Sequence, residues 1–147
     1  MELNELYSDI VTEYAADKSH WHPLAGADVH MRGVNPSCGD ELNLELDIED
    51  GRIRQAGLTG GGCAISEASA SIMADMVEGK TLEEAKTLAG LFLAMVRKEI
   101  TDVGQLETLE DAQVFENISN MPARTKCAVL AWHTLDEALK KWEAEQL

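Results

Sequence analysis

The sequence predicts an α+β domain: a small antiparallel sheet of three strands with helices packed on one of its faces. Three observations carry that expectation. Leu42, Leu44, Leu46 and Ile48 alternate with Glu41, Asn43, Glu45 and Asp47, which gives a strand with one dry face and one wet one. Asp50-Gly51 is hairpin-turn chemistry, so the next strand returns beside the first. From Ile65 to Trp142 apolar residues recur at helical spacing, so the chain runs helix, strands, then helices. With 147 residues, 45% of them hydrophobic, residues 1–147 suffice to bury one core and read as one domain.

Taken in order, Leu3, Leu6, Tyr7, Ile10, Val11 and Tyr14 form an apolar stripe opposite Glu2, Glu5, Asp9 and Glu13, the pattern of an amphipathic helix. Asp17 to Asp28, with His20, Trp21, His22 and Pro23, shows no period and reads as a solvated loop. Val29 and Met31 start a short strand that is expected to end at Gly33, before the turn residues Asn35 to Asp40. In the strand after Gly51 the alternation breaks at Ala56 and Gly57, where a bulge is expected.

Gly60, Gly61 and Gly62 then deliver Cys63 to the start of a helix striped by Ile65, Ala68, Ile72, Met73, Met76 and Val77. Gly79 fits the left-handed position after that helix, and Thr81 with Glu84 makes a capping box for the next. Leu82 to Ile100 carries the stripe of the next helix despite Gly90. Thr108 and Asp111, with Leu109, Ala112, Phe115 and Ile118, suggest one short helix between loops. Pro122 opens a final helix whose stripe includes Cys127, Leu130, Leu135, Leu139 and Trp142.

The formal net charge is −15, from 27 acidic against 12 basic residues. This argues against nucleic acid, whose phosphates need clustered Lys and Arg. No stretch approaches the about 20 apolar residues of a membrane span, and Met1 to Glu5 lacks the features of a secretory signal, so the expected location is the cytoplasm. Three cysteines cannot all pair internally, and a reducing compartment disfavours disulfides, so metal or thiol chemistry is their expected use.

The cysteines converge by topology. Cys38 precedes one strand of the hairpin and Cys63 follows the other, so an antiparallel return brings the two thiols to the same end. At a helix N-terminus the dipole favours thiolate at Cys63. Cys127, about a turn and a half into the last helix, can supply a third sulfur, and Asp40 a carboxylate. Three thiolates and a carboxylate suit zinc, and they also suit an iron–sulfur cluster. The carboxylate is the weaker, more exchangeable ligand, which favours a site that releases what it holds.

Asn35-Pro36-Ser37-Cys38-Gly39-Asp40, Gly61-Gly62-Cys63-Ala64-Ile65-Ser66 and Pro122-Ala123-Arg124-Thr125-Lys126-Cys127 resemble the three cysteine motifs of the IscU/NifU-N-terminal/SufU family of iron–sulfur assembly proteins. The resemblance runs from Leu3 to Trp142. It implies an α+β fold with a three-stranded antiparallel sheet, a cysteine-desulfurase partner, and Cys38, Asp40, Cys63 and Cys127 as ligands of metal or cluster.

Two departures point to the SufU branch. Lys126 stands where IscU-type scaffolds place a histidine, with Met121-Pro122-Ala123-Arg124 in place of their Leu-Pro-Pro-Val segment. The 64 positions from Cys63 to Cys127 also hold an insertion, about Thr101 to Asn120. That branch implies a zinc-bound sulfur acceptor working with a SufS-type desulfurase, in which a partner side chain enters the zinc shell and frees Cys38. The alternative is a scaffold that builds a labile [2Fe–2S] cluster and hands it to iron–sulfur acceptor proteins or other SUF assembly proteins.

Arg124, one helical turn before Cys127, resembles the arginine of the SufU-type motif; it could lower a thiolate pKa or grip a partner carboxylate, or be an ordinary exposed arginine. A structural zinc module and a zinc hydrolase are the remaining readings. The hydrolase needs an open coordination position that the carboxylate fills. His133 is too far round and along the helix to pair with Cys127. His20, His22 and His30 are expected to be solvated or capping residues.

Overall fold

The computed structural model describes residues 3–100 and 102–147, with side chains from Asp9 onward. Helix α1 (Leu3–Ala16) leads into strands β1 (Val29–Asn35), β2 (Asp40–Glu49) and β3 (Arg52–Gly61). Helices α2 (Ala64–Val77), α3 (Leu82–Val96), α4 (Val103–Glu107) and α5 (Pro122–Glu145) follow, with 3-10 turns at Glu110–Phe115 and Ile118–Asn120 between the last two. The sheet is antiparallel in the order β1-β2-β3, and α2 and α5 pack against it, as the sequence leads one to expect. The stripe assigned to Leu3, Leu6 and Tyr7 lies outside the described side chains; Val11 is buried and α1 packs on α2.

Leu42, Leu44, Leu46, Ile53, Ala56 and Leu58 turn one sheet face into core. Asp50 and Gly51 both take positive φ, 53° and 74°, the two-residue turn whose twist matches the strands it joins. The bulge lies nearer the turn than expected: Asp47 pairs with Gln55 but Ile48 with Ile53, which leaves Arg54 as the extra residue. Gly57 breaks the alternation for another reason. A Cβ there would stand 2.6 Å from the His22 carbonyl oxygen and 2.8 Å from the Leu24 side chain, so the 17–28 segment lies directly on the strand.

That segment is therefore a structural cover. The Leu58 amide donates to the His20 carbonyl (2.9 Å), Trp21 Nε1 donates to Ser71 Oγ (2.8 Å), and His20 is buried between Asp75 and Glu78 of the α2 end, at 3.5 and 3.6 Å. The expectation of a solvated or capping His20 is thus corrected: it is buried against carboxylates at the end of a distant helix, which local composition does not reveal. His22 and His30 are exposed, as expected, and so is His133.

Strand β1 runs two residues past Gly33, because Val34 and Asn35 still pair with Glu41 and Asp40. Gly33 is a point of close approach for α5: a Cβ there would lie 2.1 Å from Thr134 Oγ1. Helix α3 stops at Val96, with Lys98 in the left-handed region at φ 61°, and does not reach Ile100. The Thr81–Glu84 capping box forms, and Gly79 adopts φ 86° after α2. The expected single helix at 108–118 is two 3-10 turns preceded by α4, and Thr108 closes α4. Leu109, Ala112, Phe115 and Ile118 are nevertheless buried, and Phe115 meets Phe92 edge-on while Phe92 stacks on Trp132 of α5 at 4.6 Å.

Candidate metal centre

The centre forms at one end of the sheet. Asn35 and Asp40 close the β1–β2 hairpin, so Pro36–Gly39 is a four-residue loop carrying Cys38, with Gly39 at φ 70°. Glu41 pairs with Gly61 across β2 and β3, which sets Asp40 beside Gly62 and Cys63. Helix α5 then lays Cys127 over this end.

Ligand atoms of Cys38, Asp40 and Cys127 all lie within 4.8 Å of one another. Asp40 is 1% exposed, Cys127 is buried and Cys38 is exposed. The Cys127 thiol donates to Cys38 Sγ at 3.2 Å, and Cys38 Sγ lies 3.7 Å from the Ala123 carbonyl oxygen. Cys63 is placed differently. Its sulfur falls outside that compact set, caps α2 by accepting from the Ser66 amide (3.4 Å), and its own amide donates to Asp40 Oδ1 (2.9 Å). Cys63 still adjoins Cys127: burial first, then hydrogen bonds with Cys38, Asp40 and Cys63, push the Cys127 thiol pKa well above the ordinary range.

Two residues that the sequence reading did not assign hold Asp40 in place. Buried Asn35 donates Nδ2 to Asp40 Oδ2 (3.2 Å) and reaches Cys127 Sγ at 3.7 Å. Gly62 must lack a side chain, since a Cβ there would lie 2.1 Å from Asp40 Oδ1. Asn35 opens the first cysteine motif, which offers a signal, but its turn chemistry masks the second role. Arg124 is exposed and shares a shallow groove with Cys63, Ala64, Ile65 and Met121. Lys126 is exposed as well, beside Pro36, Ser37 and His133.

The donor set suits a thiophilic ion. Tetrahedral zinc with Zn–S near about 2.3 Å sets its sulfur ligands about 3.8 Å apart, and the span of this group brackets that separation. Fold and centre together define the class: an α+β protein whose sheet end gathers thiols and one buried carboxylate. The chain belongs to the NifU-like N-terminal domain family, which matches residues 6–104 and so includes Cys38, Asp40 and Cys63.

Similarity extends over the rest of the chain. It is 42% identical over 141 residues to the iron–sulfur cluster assembly scaffold protein IscU of Thermotoga maritima, covering 96% of this chain and 97% of that one. To the zinc-dependent sulfurtransferase SufU of Bacillus subtilis it is 36% identical over 142 residues, covering 96% and 94%. A crystal structure of a SUF-system iron–sulfur assembly scaffold protein from Fervidobacterium islandicum superposes with a TM-score of 0.86 at 32% identity, covering 92% and 98%.

Proposed function

We propose that residues 1–147 form one iron–sulfur cluster assembly domain that accepts sulfur at Cys38 from a SufS-type cysteine desulfurase, in the cytoplasm. Cys38, Asp40, Cys63 and Cys127 would hold Zn2+, which when bound keeps the thiols as thiolates near neutral pH. The observation that carries this reading is the contrast within the centre: Cys38 is exposed on a four-residue loop, whereas Asp40 and Cys127 are buried and hydrogen-bonded. Only Cys38 can swing outward without disturbing packing.

In the transfer, the Cys38 thiolate attacks the outer sulfur of the desulfurase persulfide. A new S–S bond forms at Cys38, the partner's S–S bond breaks, and the electron pair leaves on the partner's thiolate, which takes a proton from solvent. Arg124, exposed in a groove beside Cys63, would grip a carboxylate of the partner or lower a thiolate pKa. Similarity to a zinc-dependent sulfurtransferase supports the reading.

Similarity to a relative named a scaffold supports the second one, in which the same four residues assemble a [2Fe–2S] cluster as cargo for apo-proteins. Incubation with a SufS-type desulfurase and cysteine, followed by peptide mass spectrometry, separates them. Extra sulfur confined to Cys38, with desulfurase turnover rising alongside, is the expected result. Iron-dependent cluster growth with no persulfide on Cys38 would establish the scaffold instead.

A further inference from the structure

We propose that Cys127 is the resolving thiol that releases the transferred sulfur as sulfide. This rests on the reading of Cys38 as the acceptor. The observation is a contact between unlike thiols: Cys127 Sγ is buried and lies 3.2 Å from the sulfur of exposed Cys38. An incoming sulfur reaches Cys38 from solvent, so the outer atom of a Cys38 persulfide stands on the open side. Cys127 faces the inner sulfur from within the protein. The Cys127 sulfur is thus within reach of the inner sulfur, while the outer sulfur has solvent to leave into.

The step balances without any external oxidant. Cys127 gives up its proton to solvent as its sulfur bonds to Cys38 sulfur; the bond from Cys38 to the outer sulfur breaks, and that sulfur departs with the bonding pair and takes a proton from solvent, leaving as hydrogen sulfide. Counted as sulfane, the departing sulfur gains two electrons, which the two cysteines give up in becoming a disulfide. The contact must close from 3.2 Å to the about 2.05 Å of a disulfide, a movement that the exposed loop of Cys38 can supply. A dithiol reductant then restores both thiols. Metal held by Cys127 would occupy the attacking sulfur and so would suppress the step.

The test uses the whole chain, freed of metal by a chelator without oxygen, loaded with inorganic polysulfide and desalted. Free sulfide and the peptide map are followed over time. The expected course is first-order decay of the Cys38 persulfide, independent of protein concentration, to one sulfide and one Cys38–Cys127 disulfide per chain, suppressed by added zinc. In Cys127→Ala the Cys38 persulfide should persist at least about tenfold longer. Equal sulfide release from that variant, or a second sulfur that migrates onto Cys127 instead of leaving, overturns the proposal. If circular dichroism finds the variant unfolded, the wild-type map decides: persulfide lost without a Cys38–Cys127 disulfide overturns it equally. A desulfurase that never loads Cys38 refutes the acceptor reading and, with it, this proposal; failure of the polysulfide-loaded chain alone overturns the release step and leaves the acceptor reading untouched.

Discussion

Gly62→Ala tests the centre through its packing. A Cβ at Gly62 would stand 2.1 Å from Asp40 Oδ1, 2.8 Å from its Cγ and 3.0 Å from its Cβ, so the whole carboxylate must retreat. Asp40 is nearly fully buried, and retreat breaks its hydrogen bonds from the Cys63 amide and from Asn35. A buried charged group losing such partners costs about 1.5–3 kcal/mol, and overpacking about 1–3 kcal/mol; because the two overlap, about 2–4 kcal/mol is expected. For a chain of this length that corresponds to a melting temperature lower by roughly 5–15 °C. Gly61→Ala is the matched control, since its nearest neighbour would be Glu67 Oε2 at an ordinary 3.6 Å, and it should stay within about 0.5 kcal/mol. Urea unfolding of the metal-free proteins, with zinc competition against a chromophoric chelator, reads both stability and affinity. Should the two variants unfold together and bind zinc alike, the close approach of Gly62 to Asp40 has no energetic weight and the reasoning fails.

Asp40→Ala should lower metal-free stability by about 1.5–3 kcal/mol in urea, yet keep zinc on three thiolates with impaired sulfur transfer; complete metal loss, as expected of Cys63→Ser, would refute the exchangeable-ligand argument. The raised Cys127 pKa gives a pH signature. Above the ordinary thiol value of 9.0 the unfolded chain releases that proton while the folded one keeps it, so metal-free stability should fall as pH rises, with a flatter profile in Cys127→Ala. Zinc affinity should rise with pH over the range in which the thiols ionise, because binding displaces their protons; a flat titration would contradict the ligand set. Freshly purified protein should carry one zinc per chain by elemental analysis, and its absence would count against the sulfur-acceptor reading. Sulfur transfer should slow with added salt if the −15 charge steers the encounter, which stopped-flow mixing at several ionic strengths can check.

Strands and caps were legible because their signals are local. Leucine alternation, Asp50-Gly51 and the Thr81–Glu84 box each act within a few residues, and each stands where it was read. Topology led to the expectation that Cys38 and Cys63 pair at the hairpin end, with Cys127 as a third sulfur; the sulfur beside Cys38 is instead that of Cys127, laid over this end by the last helix. Long-range effects were hidden. His20 is buried by carboxylates more than fifty positions away, and Gly57 is glycine because Leu24 lies on it. The placement of Cys63 was half legible: the helix start is where it was expected, but its sulfur caps α2 and lies outside the compact group of Cys38, Asp40 and Cys127. Asn35 reads as turn chemistry in isolation, and its buried bond to Asp40 becomes visible only once β1 extends to meet it.

The segment laid along β3 has a bearing on how copies of this chain meet. A three-stranded sheet has an outer strand on each side, and an open row of amides on either is a template for another chain. The Leu58 amide is already spoken for by the His20 carbonyl, with Trp21 pinned to Ser71 and Leu24 pressed on Gly57. The segment thus closes the part of the edge nearest Cys63, while nearer the turn Ile53 pairs with Gly79 and Lys80, and the Ala56 amide donates to Glu78. Loosening it, for example by replacing Trp21, should free the Leu58 amide alone and leave the pairing of Ile53 and Ala56 with residues 78–80 in place.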